Sequence, residues 1–111
     1  MPIREKQSMK RPIHPGEILK KEFFLTGLTA SALARAMRVP PNAVTQIVTG
    51  RRSITARMAL RLGAALGTTP DLWLNLQSSY RLAVARREKG MAAALRRIKE
   101  VERRPRERDF A

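Results

Sequence analysis

The feature that most limits what this chain can fold into is a pair of prolines between two short apolar-patterned segments, in TASALARAMRVPPNAVTQIVTG, Thr29–Gly50. The residue before a proline avoids the α region, and proline has no N–H to continue a helix. Pro40 and Pro41 therefore stop one helix near Arg38 and start another at Pro41. Thr29 is a preferred N-cap for the first, and Leu28 and Leu33 stand where a hydrophobic staple would close. The two helices are expected over Ala30–Met37 and Pro41–Thr49, with Gly50 closing the second. Ala34 is small enough to admit a crossing helix. Val39 plugs the angle between them, and Val44 and Ile47 form the inner stripe of the second. This is the arrangement of a helix-turn-helix, whose second helix lies in a DNA major groove.

The second helix is short, and its outward face is polar and uncharged. Val44, Ile47 and Val48 are expected inside; Asn42, Ala43, Thr45, Gln46 and Thr49 are expected outside. Asn and Gln pair bidentately with adenine, and a Thr methyl meets the thymine methyl. The helix N-terminus comes nearest the bases. The candidates for base reading are therefore Pro41, Asn42, Ala43, Thr45 and Gln46. Arg51 and Arg52, next to the glycine turn, are placed to clamp phosphates. Thr29, Ser31, Arg35, Arg38 and Thr49 complete the candidate phosphate contacts. Arg38 is the weak point, because that turn position tends to need positive φ, which glycine adopts without strain.

Charge points the same way. The chain carries a formal net charge of +14 and a pI of about 11.8. From Phe23 to Pro70 there is no Asp or Glu, while Arg35, Arg38, Arg51, Arg52, Arg57 and Arg61 lie there. A merely solvated surface mixes signs. A single-signed stretch is the electrostatic footprint of a nucleic-acid partner.

The remaining helical segments frame this centre. A first helix is expected over Pro15–Leu25, with Ile18, Leu19, Phe23 and Leu25 buried and Gly27 ending it. A fourth spans Ala56–Leu66 between Thr55 and Gly67. A fifth starts with Thr69 as cap, Pro70 and Asp71. Leu72, Trp73, Leu76 and Tyr80 recur along it at helical spacing, as a core stripe that doubles as a candidate dimer seam. After Gly90, Met91–Val101 resumes an amphipathic pattern through Met91, Ala94, Leu95, Ile98 and Val101. The expected division is a disordered arm over 1–11, with Met9 an alternative start, a folded domain over 12–87, and a basic amphipathic extension over 88–111 that frays over Glu102–Ala111.

At 111 residues, with 43% hydrophobic and 5% aromatic residues, the chain suits one small all-helical domain with an aliphatic core. It has no cysteine, which excludes disulfides and thiol chemistry. It has no apolar run long enough to span a membrane, and its basic N-terminus lacks a signal-peptide apolar region. A cytoplasmic protein with no membrane association is expected. His14 is the only histidine and precedes Pro15, which suits a capping or surface role rather than a catalytic one. No metal site, cofactor or catalytic group is expected, and the scarcity of aromatics argues against RNA bases stacking on the surface.

The sequence also carries a resemblance. His14-Pro15-Gly16-Glu17-Ile18-Leu19 opens it, followed by Leu33-Ala34-Arg35-Ala36 and Val39-Pro40-Pro41-Asn42. Gly50-Arg51-Arg52-Ser53-Ile54-Thr55, Ala59-Leu60-Arg61-Leu62 and Thr69-Pro70-Asp71-Leu72-Trp73-Leu74-Asn75-Leu76-Gln77 continue it. Over Arg11 to Arg87 these segments resemble the HigA antitoxins, also called virulence-associated protein I, within the xenobiotic-response-element type of helix-turn-helix proteins. The resemblance implies a five-helix lambda-repressor-like domain that forms a homodimer and binds double-stranded DNA at a palindromic operator. It also implies a partner, a HigB toxin: a RelE-like ribonuclease that cleaves mRNA at the ribosome. The antitoxin neutralises the toxin and represses their shared operon. Members also occur without a toxin, as plain repressors. Two positions depart from the pattern: Arg38 replaces the usual turn glycine, and Ala43 stands where the recognition helix often carries a basic residue.

Overall fold

The computed structural model describes residues 11–103. The expectations for residues 1–10 and for 104–111 lie outside the described residues. The chain runs α1 (Pro15–Glu22), a single 3-10 turn (Phe24–Thr26), α2 (Ala30–Met37), α3 (Pro41–Val48), α4 (Ala56–Leu66), α5 (Pro70–Arg86) and α6 (Met91–Arg96). The described residues contain no strand. No helix among them is long and apolar enough to cross a membrane.

Local chemistry sets these boundaries. His14 caps α1: its side chain accepts the Gly16 N–H at 2.9 Å, and Glu17 accepts the His14 N–H at 3.1 Å, a reciprocal capping box. Thr29, Thr55 and Thr69 cap α2, α4 and α5 through their hydroxyl oxygens. The first helix is shorter than its pattern suggested. It ends at Glu22, and the 3-10 turn rotates the register, so Leu25 is 75% exposed instead of buried. The last helix is also shorter. It stops at Arg96, and Ile98 and Val101 lie exposed beyond it.

One aliphatic core holds the domain together. Leu19, Leu33, Ala34, Met37, Ala43, Val44, Ile47, Ile54, Met58, Ala59, Leu62 and Trp73 form it, drawn from every helix but α6. Trp73 is fully enclosed, donates its indole N–H to Thr68 Oγ1 at 2.7 Å, and lies 6.0 Å from the Phe23 ring. α2 packs on α3 and α4, α1 on α3 and α5, α4 on α5, and α6 on α5. Arg61 reaches from α4 to donate to the Met37 carbonyl at 2.7 Å, which satisfies the C-terminal end of α2.

Candidate nucleic-acid interface

The turn between α2 and α3 is wound as its position required. Arg38 adopts φ 59° and ψ 47°, the left-handed conformation, and is the one non-glycine residue with positive φ among those described. Val39 follows, and Pro40 brings the chain into Pro41 as the first residue of α3. The two helices are thereby fixed at an angle over Ala34, Val44 and Ile47, all buried.

The outer face of α3 is only partly as expected. Pro41, Asn42, Thr45 and Thr49 are exposed, and Gln46 is half-buried. Ala43 is not on this face. It is 3% exposed and belongs to the core, so it cannot reach a base edge. With Val44 and Ile47 it forms the inner stripe at i, i+1 and i+4, a wider stripe than Val44 and Ile47 alone imply. Val48, expected inside, is half-buried.

The hydroxyls on and beside α3 have defined hydrogen-bonding senses. Thr45 donates to the Pro41 carbonyl at 3.3 Å and Thr49 to the Thr45 carbonyl at 2.9 Å. Their oxygens are left to act as acceptors. Thr29 is the reverse: its oxygen accepts the Ala32 N–H at 3.1 Å, so its own proton stays free to be donated. Ser31, Arg35, Arg38 and Arg51 are exposed. Arg52 is exposed too, and its Nε donates to Gln46 Oε1 at 2.9 Å. The face therefore offers amide and hydroxyl groups in the middle and guanidinium donors at the rim.

The loop Gly50–Ile54 that carries the paired arginines is pinned from three sides. Gln77 of α5 is buried and accepts the Ile54 N–H at 2.7 Å. Arg81 of α5 donates to Ser53 Oγ at 2.7 Å. The His14 ring lies close to the Arg52 carbonyl and edge-on to Tyr80, 4.9 Å between centroids. Burial holds the His14 imidazole below its ordinary pKa, against the opposing pull of the Arg52 carbonyl and the Glu17 carboxylate. Glu17 in turn is held below the usual carboxylate range by hydrogen bonds from Arg11, at 2.7 and 2.9 Å. Gln77 and Arg81 were missed in the sequence, since nothing local marks a partner on another element. Arg11, placed in a disordered arm, is instead paired.

The candidate dimer residues divide. Trp73 is core, with no surface to offer another subunit, because its indole fills the space between α1, α4 and α5. Tyr80 is half-buried against His14. Leu76 is half-buried beside Ile13 and Ile18, and Leu72 is 40% exposed. Leu82 and Val84 are exposed apolar residues further along α5.

Comparison with known proteins agrees with this architecture. The family model described as "Helix-turn-helix domain" matches residues 4–76. The chain is 46% identical over 78 residues to virulence-associated protein I of Dichelobacter nodosus, covering 69% of this chain and 72% of that protein. It is 44% identical over 78 residues to antitoxin HigA-1 of Vibrio cholerae, covering 69% and 73%. The solved structure of Pseudomonas aeruginosa antitoxin HigA with the higBA promoter superposes with a TM-score of 0.75 at 42% identity, covering 83% of this chain and all of that one. With its paired helices joined at the left-handed Arg38, the chain belongs to the helix-turn-helix domain family, in the branch of the HigA antitoxins and virulence-associated protein I.

Proposed function

We propose that this protein is a sequence-specific DNA-binding repressor that acts in the cytoplasm as a homodimer on a palindromic operator. Asn42, Thr45 and Gln46, with Pro41 beside them, meet base edges. Thr29, Ser31, Arg35, Arg38, Thr49, Arg51 and Arg52 meet phosphates. The observation that carries the reading is the outer face of α3: polar and uncharged at its centre, ringed by exposed arginines in a stretch with no carboxylate. The HigA relative solved with its promoter supports the same reading. Leu72, Leu76, Leu82 and Val84 on α5 supply apolar surface for the second subunit, with Tyr80 at its edge. The chain is further the antitoxin of a HigB-HigA operon, neutralising a RelE-like, mRNA-cleaving toxin and repressing the operon that encodes both. A second reading, a stand-alone regulator without a toxin, is favoured by the net charge of +14, since a basic toxin would need a locally acidic or apolar contact surface.

Selection of bound duplexes from a random pool at physiological salt tests the DNA-binding reading. It should return a palindrome whose half-sites lie about 34 Å apart, one helical turn. Enrichment of no sequence would overturn it. Co-expression with the neighbouring reading frame separates antitoxin from stand-alone regulator: a stable complex that silences the neighbour's toxicity supports the first, and no complex the second.

A further inference from the structure

Two side chains of α5, one helical turn apart, reach the loop between α3 and α4. Gln77 accepts the Ile54 N–H at 2.7 Å, and Arg81 donates through Nη2 to Ser53 Oγ at 2.7 Å. On its other side the loop hangs from α3, where the Gln46 carbonyl accepts the N–H of Arg51 at 2.8 Å and of Arg52 at 3.1 Å. Ser53 lies between these two sets of anchors, directly after the paired arginines, and is held through its hydroxyl.

A guanidinium is an unusual group for this tie, because its strong partners are carboxylates. Arg81 makes no ion pair with a carboxylate among the described residues. It reaches instead into a stretch with no Asp or Glu, next to Arg51 and Arg52. A third cation there adds repulsion to the free protein. That cost is offset once the loop faces phosphates. Arg81 is exposed, so its bond to Ser53 contributes nothing to the core. What the bond does fix is the chain direction immediately after Arg52. Without it, the backbone under both arginines must be ordered at the moment of binding, which weakens the complex. We propose that Arg81 is a positioning residue for DNA binding: through Ser53 it preorganises the loop on which Arg51 and Arg52 meet phosphates. This rests on the DNA-binding reading above.

The test is a set of binding titrations with the full chain against the selected operator and a scrambled duplex. The variants are Arg81→Ala, Arg81→Lys, Ser53→Ala, the Ser53→Ala/Arg81→Ala double, and Arg51→Ala/Arg52→Ala with and without Arg81→Ala. Thermal melts check that each stays folded. Arg81→Ala and Ser53→Ala should each weaken both duplexes alike, about three- to tenfold, the worth of one hydrogen bond. Their double variant should bind no worse than the weaker single, since both changes remove the same bond. Arg81→Lys keeps a donor for Ser53 and should recover most of the loss. Adding Arg81→Ala to Arg51→Ala/Arg52→Ala should cost nothing further, because the groups it positions are gone. Three outcomes overturn the proposal while leaving DNA binding standing. Arg81→Ala binds as the wild type does, so the loop needs no tie. Arg81→Ala is weak while Ser53→Ala is not, so Arg81 does not act through Ser53. The Arg81→Ala loss persists without Arg51 and Arg52, so Arg81 meets phosphate on its own. A wild type that binds neither duplex overturns the DNA-binding reading and this inference with it.

Discussion

Gly16 at the start of α1 lies directly against the end of α3. A Cβ there would overlap the Ile47 carbonyl oxygen and stand 2.9 Å from the Val48 Cα. Both neighbours are main chain of the candidate recognition helix, so neither can rotate away. Gly16→Ala should therefore push α3 off its seat. Overpacking of this kind costs about 1–3 kcal/mol. A thermal melt should show a loss of several degrees, with DNA affinity falling beyond what the stability loss explains. An unchanged melt would mean that α1 and α3 do not pack this closely.

Arg38 should respond with the opposite sign. Its left-handed backbone, φ 59°, costs a non-glycine residue about 1 kcal/mol that glycine avoids. Arg38→Gly should raise the melting temperature while weakening binding to every duplex alike, because a rim guanidinium is lost. Stability and affinity moving in the same direction would contradict the two roles given to this residue.

Gln77 holds the arginine loop from behind. Its Oε1 accepts the buried Ile54 N–H at 2.7 Å, while its own Nε2 is buried with no partner among the described residues. Gln77→Leu removes the orphaned donor but leaves the Ile54 N–H unsatisfied. An unsatisfied buried group costs about 1–3 kcal/mol, partly offset here by the donor that is removed. The net effect should be a modest loss of stability and, more specifically, faster hydrogen exchange at the Ile54 amide. Exchange at wild-type rate would show that the loop does not depend on α5.

Stability should fall on mild acidification, and His14 sets the first step. Its folded pKa lies below its ordinary value because of burial. Between the two values the unfolded chain binds the extra proton, so stability rises with pH across that window. The contribution is complete above the ordinary value of about 6.5 and is lost as pH falls through the lowered folded value. Glu17, also lowered, adds a second loss below the ordinary carboxylate value as its pairing with Arg11 is protonated away. His14→Asn keeps a capping acceptor and cannot titrate. Melts from pH 5 to 7.5 should be flatter for this variant than for the wild type, and identical slopes would remove His14 as the cause.

The contrast between these residues shows how far the sequence could be read. The hinge was legible, because Pro40-Pro41 dictate where one helix stops and the next starts, and the left-handed demand then falls on Arg38. The capped helix starts at Thr29, Thr55 and Thr69 were legible for the same local reason, while for His14 a cap and a surface position both fitted. Ala43 was misplaced because alanine carries no polarity signal, so only its phase against Val44 and Ile47 assigns it. Leu25 was misplaced because a switch from α to 3-10 winding after Glu22 shifts the phase without changing composition. The contacts of Ile54 with Gln77, Ser53 with Arg81 and Arg52 with His14 were beyond reach. Each joins residues brought together only by the packing of α1 and α5 around the loop.

The central claim is that bases are read by α3 and phosphates by its rim, and binding titrations over a salt series test it most directly. Wild type, Asn42→Ala and Arg51→Ala are titrated against the selected operator and a scrambled duplex. The account predicts that Asn42→Ala costs about 1–3 kcal/mol on the operator and nothing on the scrambled duplex. Arg51→Ala should weaken both duplexes alike and reduce the log–log salt slope by about 0.9, one phosphate contact. If Asn42→Ala binds the operator as the wild type does, or Arg51→Ala leaves the salt slope unchanged, this division of labour is wrong.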